Sequence, residues 1–196
     1  MAHAFDRPKR HSRAAPAGIS TLALAFWVVV ARPALGTTGL GVTAVLDVSA
    51  NVSANCTISA SAVSFGRYES LQANAIAPLN AAGRVSIACT KGSAPRITLD
   101  LGQNPSGERR QMALSTGGGA ADRLTYELYL PPDAMPGTGC RFPGAVPWGS
   151  SPGEAFTPTP PLTRAPRSYS VCGTIPAGQG VSMGSYADTV VATVNF

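Results

Sequence analysis

Apolar and polar side chains alternate over residues 42–53. Val42, Ala44, Leu46, Val48 and Val52 occupy even positions, and Thr43, Asp47, Ser49, Asn51 and Ser53 lie between them, with Val45 the one exception. A two-residue repeat is that of a half-buried strand, because successive side chains point to opposite faces. Further strand patterns cover residues 56–59, 63–65, 84–90, 96–101, 111–114, 124–130, 168–173 and 186–196, most of them bounded by Gly, Pro, Asn or Ser. In residues 84–90, Val85, Ile87 and Cys89 share a face, so this strand carries its cysteine into the core. No stretch longer than a turn or two has helical periodicity. The pattern predicts an all-β fold, a two-sheet β-sandwich.

The last of these strands is the most informative. Tyr186, Asp188, Val190, Ala192, Val194 and Phe196 fall on one face, and the sequence stops at Phe196 with no strand to follow. An edge strand leaves backbone N–H and C=O groups unpaired, so the spare neighbour is expected from another chain. Residues 131–167 hold ten prolines, too many for a sheet interior, and read as a long surface excursion. Trp148 within it is expected to plug the core rather than to stand exposed.

Composition agrees with many short elements joined by turns. The chain has 196 residues with Gly 21 and Pro 17, and only 13% are charged, which disfavours a disordered polyelectrolyte or a long coil. The formal net charge of +5 changes meaning once it is located. Arg7, Lys9, Arg10 and Arg13 precede an apolar run at residues 19–31, which ends at Arg32-Pro33 and is followed by Ala34-Leu35-Gly36. That is the layout of a secretory signal peptide over residues 1–36, and the run is short of the roughly 20 residues that span a bilayer. An uncleaved anchor is the other reading. Without this segment ten basic and nine acidic residues remain, so a nucleic-acid partner loses its electrostatic basis.

Both histidines, His3 and His11, leave with the leader. A Ser-His-Asp triad or a His-bearing metal site is then excluded, and no cofactor or metal is expected. Gly180-Val181-Ser182-Met183-Gly184 spells a nucleophile elbow, but Ser182 has neither a base nor the strand-turn-helix setting. Ser115-Thr116-Gly117-Gly118-Gly119 lacks the lysine of a phosphate loop and reads as a turn. An enzyme is therefore the least expected class. Cys56, Cys89, Cys140 and Cys172 are widely spaced and contain no C-x-x-C pair. In a secreted chain they fit two disulfides, for which three pairings exist; Cys56 with Cys89 and Cys140 with Cys172 are favoured, each closing a loop of a little over 30 residues. One disulfide with two free thiols is the alternative.

Several blocks carry a family resemblance. Asn55-Cys56-Thr57-Ile58, Val85-Ser86-Ile87-Ala88-Cys89, Tyr126-Glu127-Leu128-Tyr129, Trp148-Gly149, Gly173-Thr174-Ile175-Pro176-Ala177-Gly178-Gln179 and Gly184-Ser185-Tyr186-Ala187-Asp188-Thr189 running into Val194-Asn195-Phe196 resemble, in order, the spore coat protein U domain family, which includes pilins of the archaic (Csu-type) chaperone-usher pathway. Cys140, Cys172 and the length of the Pro-rich stretch depart from the family pattern. The resemblance implies an incomplete immunoglobulin-like β-sandwich, residues 51–196, completed by a donated strand. It implies a donor-strand arm at residues 37–50 with Val42, Ala44, Leu46 and Val48 as inserted side chains. Tyr186, Val190, Ala192, Val194 and Phe196 would form the acceptor groove and chaperone contact. The implied partners are a periplasmic pilus chaperone, an outer-membrane usher and neighbouring pilin subunits in a head-to-tail polymer, with passage through the periplasm to a surface pilus serving adhesion and biofilm formation.

Two other functions compete with the pilus subunit. One is a self-contained coat or surface-layer protein whose residues 42–48 pair in cis as its first strand. The other is a carbohydrate-binding adhesive module, with Trp148, Tyr126 and Tyr129 as exposed contacts.

Overall fold

The computed structural model describes residues 40–115 and 122–196. The expected leader, the first three residues of the arm and the Gly-rich residues 116–119 lie outside the described residues. The chain divides into two units, Met1–Val48 and Ser49–Phe196. In the first, residues 40–48 belong to no strand and their side chains are exposed, Val42 at 96% and Leu46 at 85%. The strand expected over residues 42–53 is therefore not formed. Alternation supplies a face suited to pairing, but a lone strand has no ladder to hold it.

The second unit contains β1 (Cys56–Ser61), α1 (Ala73–Ile76), β2 (Leu79–Cys89), β3 (Arg96–Leu99), β4 (Arg110–Leu114), β5 (Arg123–Tyr129), β6 (Arg167–Ile175), β7 (Tyr186–Ala187) and β8 (Ala192–Asn195). All pairings are antiparallel. Six strands form one sheet in the order β1-β2-β6-β5-β4-β7, and β3-β8 form the second. The result is the all-β, immunoglobulin-like sandwich.

Period-two burial explains the core. Val85, Ile87 and Cys89 of β2, Leu124, Tyr126 and Leu128 of β5, and Tyr169, Val171 and Ile175 of β6 cluster with Ile97 and Leu99 of the small sheet. Each fully buried aliphatic side chain contributes roughly 1.5–3 kcal/mol relative to exposure. Both expected disulfides are present, Cys56–Cys89 and Cys140–Cys172. The first joins directly facing residues of β1 and β2; the second ties the Pro-rich stretch to β6.

That stretch is more than a surface excursion. Trp148 is fully buried, its N–H donates to Leu128 O at 2.7 Å, and its Nε1 donates to Ile97 O at 3.0 Å. Phe156 packs between Trp148 and Tyr169, with ring centroids 5.4 and 4.8 Å away. Its backbone also exchanges two hydrogen bonds with Ile97, covering the outer side of β3. Trp148 and Tyr126, at 0% and 4% exposure, are core residues and not the exposed contacts expected of a carbohydrate-binding module, while Tyr129 is half-buried.

Two further corrections concern strands. Residues 63–65 belong to no strand, although Val63 and Phe65 pack against the core. Residues 186–196 are not one strand but two, β7 on β4 and β8 on β3, in different sheets. Arg110, on which the sequence pattern is silent, is 2% exposed. Its guanidinium pairs with Glu127 and donates to Asp100 O and Trp148 O, fastening β4, β5 and the Pro-rich stretch together.

Candidate functional site

β3 has neighbours on both sides, whereas among the described residues β8 is paired to β3 alone. The second unit also holds an open groove of about 1110 Å³, whose lining ends at Val190, two residues before β8 begins. One wall is residues 63–72, the other is residues 181–188 with Val190, and the floor is Met112, Leu124, Tyr126, Leu128 and Ile175.

The first wall lies close to the sheet because glycines face it. A methyl group at Gly173 of β6 would come within 2.7 Å of both Phe65 and Val63, and one at Gly83 of β2 within 2.7 Å of Val63. Phe65 also meets the Tyr126 ring edge-on at 6.3 Å. Tyr68 closes the wall: its hydroxyl donates to Pro176 O at 2.9 Å and accepts from Gln179 N–H at 3.0 Å. Gln179 then pairs like a backbone unit with Thr125, Oε1 accepting from its N–H at 2.8 Å and Nε2 donating to its carbonyl at 2.9 Å. The side-chain amide replaces a ladder bond where β6 has left β5. Gly178 makes the turn at φ 75° and donates to Asn74 O at 2.8 Å.

The opposite wall is fixed by Asp188. Its Oδ2 accepts from the Tyr126 hydroxyl at 2.7 Å, and its Oδ1 accepts from Gln103 N–H at 2.9 Å and Asn104 Nδ2 at 3.1 Å. The carboxylate sits over Gly102, whose φ is +79° and whose site has no room for a side chain. Three residues on, Val191 exchanges hydrogen bonds with Asp100. These contacts switch the chain from β7 in one sheet to β8 in the other. Burial, and then the bond to Asp188, push the Tyr126 hydroxyl well above the ordinary tyrosine pKa. At the far end Asp122 accepts from Ser182 N–H at 2.8 Å, and hydrogen bonds from the Ser182 side chain and backbone hold its carboxyl below the usual range.

The predicted groove residues divide into three groups. Tyr186 and Val190 line the groove; Ala192 and Val194 are half-buried against the core from β8; Phe196 lies outside the lining and is 53% exposed. Even positions from 186 to 194 face inward and odd ones outward, as the alternation requires. Val42, Ala44, Leu46 and Val48 are all exposed. Sequence reasoning missed Val63, Phe65 and Tyr68 as a wall, Met112 and Leu124 as floor, and Asp188 as the fastening of the rim. The alternation Val63-Ser64-Phe65 was the available signal, and it pointed to a strand instead. Among the described residues no group of three or more His, Cys, Asp or Glu is placed to hold a metal.

Comparison with known proteins follows this geometry. The Spore Coat Protein U domain family matches residues 42–193. Protein U of Myxococcus xanthus is 33% identical over 169 residues, covering 79% of this chain and 84% of its own length. Among solved structures, a chaperone–tip adhesion subunit pre-assembly complex from the archaic chaperone-usher Csu pili of Acinetobacter baumannii is similar at 23% identity and TM-score 0.48, over 74% of this chain and 40% of that chain. This chain thus spans less than half of that one. The minor tip subunit of the E. coli Hda pilus gives 14% identity and TM-score 0.35, over 71% of this chain and 79% of the other.

Proposed function

The chain belongs to the Spore Coat Protein U domain family, and on that footing we propose that it is a structural subunit of a surface pilus or fimbria built by donor-strand exchange. Residues 37–50 are the donor arm. The acceptor is the groove between residues 63–72 and the rim leading from Tyr186 to β8. A periplasmic chaperone first covers the groove, and at an outer-membrane usher the arm of the next subunit replaces it. Residues 1–36 direct the chain to secretion, and the fibre serves adhesion and biofilm formation. Its role is structural rather than catalytic.

The observation that carries this reading is a pair of complementary deficits. The groove lies open beside the rim that leads into β8, and β8 pairs with β3 alone among the described residues, while Val42, Ala44, Leu46 and Val48 stand exposed on a segment outside any strand. An added strand supplies backbone partners along the free edge and buries alternate side chains. Burying a valine or leucine is worth roughly 1.5–3 kcal/mol. Head-to-tail insertion is a heterologous contact, so it propagates into a filament.

Electrophoresis without boiling, of the mature chain beside the same chain lacking residues 37–50, tests it. The expected result is a ladder of detergent-resistant oligomers that vanishes with the arm. A compact monomer whose melting temperature falls on arm removal would overturn it and favour a self-contained coat protein.

A further inference from the structure

The root of the arm is fastened. Thr90, just past the end of β2, donates its N–H to Asn55 O at 2.8 Å, and its Oγ1 accepts from Asn55 N–H at 3.0 Å. The Thr90 hydroxyl proton faces the carbonyls of Ser53 and Asn55 at 3.4 and 3.3 Å. The adjoining residues are covalently joined, Cys56–Cys89, with Cα atoms 4.1 Å apart. Residues 53–55 therefore continue the line of β1 beyond the sheet, away from the end at which β1 runs on into the groove wall at Val63.

This fastening limits what the chain can do to itself. With Ser53 and Asn55 held, any reversal toward the groove must lie within residues 49–52. A hairpin turning there sets residue 48 opposite residue 53 and residue 42 opposite residue 59. Val42 then stops about four residues, or about 13 Å at 3.3 Å per residue, short of Val63 where the groove wall begins. Its four apolar side chains would lie beside β1 while the space over Leu124, Tyr126 and Leu128 stayed open.

We infer that Thr90 and the Cys56–Cys89 disulfide form a clamp at the root of the arm that keeps residues 42–48 out of the chain's own groove and reserves them for a second copy of this chain. The inference rests on the donor-arm reading and adds a reason why donation is intermolecular. Releasing Ser53 alone, as loss of the Thr90 hydroxyl does, lets the turn move to residues 51–54 and brings residue 42 level with Val63; releasing Cys56 as well lets it move toward residues 54–57 and brings residue 48 level with Val63.

Limited proteolysis before Asp47 tests the clamp on the mature chain, with monomer and oligomer separated by gel filtration. The variants are Thr90→Val, its conservative control Thr90→Ser, and the double change Cys56→Ser with Cys89→Ser. In the wild type and in Thr90→Ser, the monomer is cut rapidly and the oligomer is protected. In Thr90→Val the monomer resists cutting at least about tenfold longer, because cleavage tracks the population with an open arm, and the oligomer fraction falls. The double cysteine variant shifts the same way, and Thr90→Val keeps the test valid if that variant does not fold. Should both clamp variants be cut as fast as the wild type while oligomers persist, the clamp is refuted and the donor arm stands. A wild-type monomer already protected at Asp47 would overturn both.

Discussion

The hydroxyl of Tyr126, on the groove floor, donates to Oδ2 of Asp188, on its rim, at 2.7 Å. This bond joins two residues that face the same groove from different elements, and it crosses to the point where the chain leaves one sheet for the other. The position of β8, and with it the free edge, depends on the rim being held there.

Replacing Tyr126 by Phe removes a hydrogen bond to a charged group and is expected to cost about 1–3 kcal/mol. The same change alters the alkaline limb of stability. The folded-state pKa of Tyr126 lies above its unfolded value, so its contribution is complete below about pH 10 and is lost as pH rises further and the unfolded chain ionises first. Tyr129, Tyr169 and Tyr186 are also raised, by burial first, so the measurement is a difference. Denaturant titrations from pH 8 to 11 should show a shallower alkaline loss in Tyr126→Phe than in wild type; equal slopes would contradict the assignment.

Gly173→Ala is expected to push the groove wall outward. The added methyl meets Phe65 and Val63 at 2.7 Å, and overpacking of this kind costs about 1–3 kcal/mol. Since the wall lies in no strand, the strain should appear there rather than in the sheet. Amide exchange of residues 63–68 should accelerate while that of β2 and β6 stays slow.

Arg110→Ala leaves Glu127 without its cation and the buried Trp148 carbonyl and part-buried Asp100 carbonyl without these donors. Breaking such a pair from one side costs about 3–5 kcal/mol. Changing Arg110 to Met together with Glu127 to Leu should recover a large part of that loss, because both charges then leave the interior. Urea midpoints of the single and double variants give the comparison.

Leu46→Asp tests the arm without shortening it. A carboxylate carried into an apolar groove is left unpaired and prefers water. The oligomer ladder on unboiled gels should be lost, while the melting temperature of the monomer stays within about 1 °C of wild type, as expected for an exposed position. A normal ladder would argue against insertion of this face.

Much of the protein is legible along the chain because it rests on short-range alternation. β2 and β5 bury every second residue as read, both disulfides join the expected cysteines, and Trp148 is a core residue. The inward face from Tyr186 to Val194 was also visible. Its division into β7 and β8 was not, since alternation tells which side of a strand is apolar but not which edge will pair. That choice came from Tyr126, 62 residues away, and from Asp100, 91 residues from Val191. Likewise Val63 and Phe65 alternate like a strand but form an unpaired wall, because Gly83 and Gly173 on distant strands leave space beneath them. Side-chain periodicity is carried by the chain locally, whereas the groove exists only where residues from several distant segments meet.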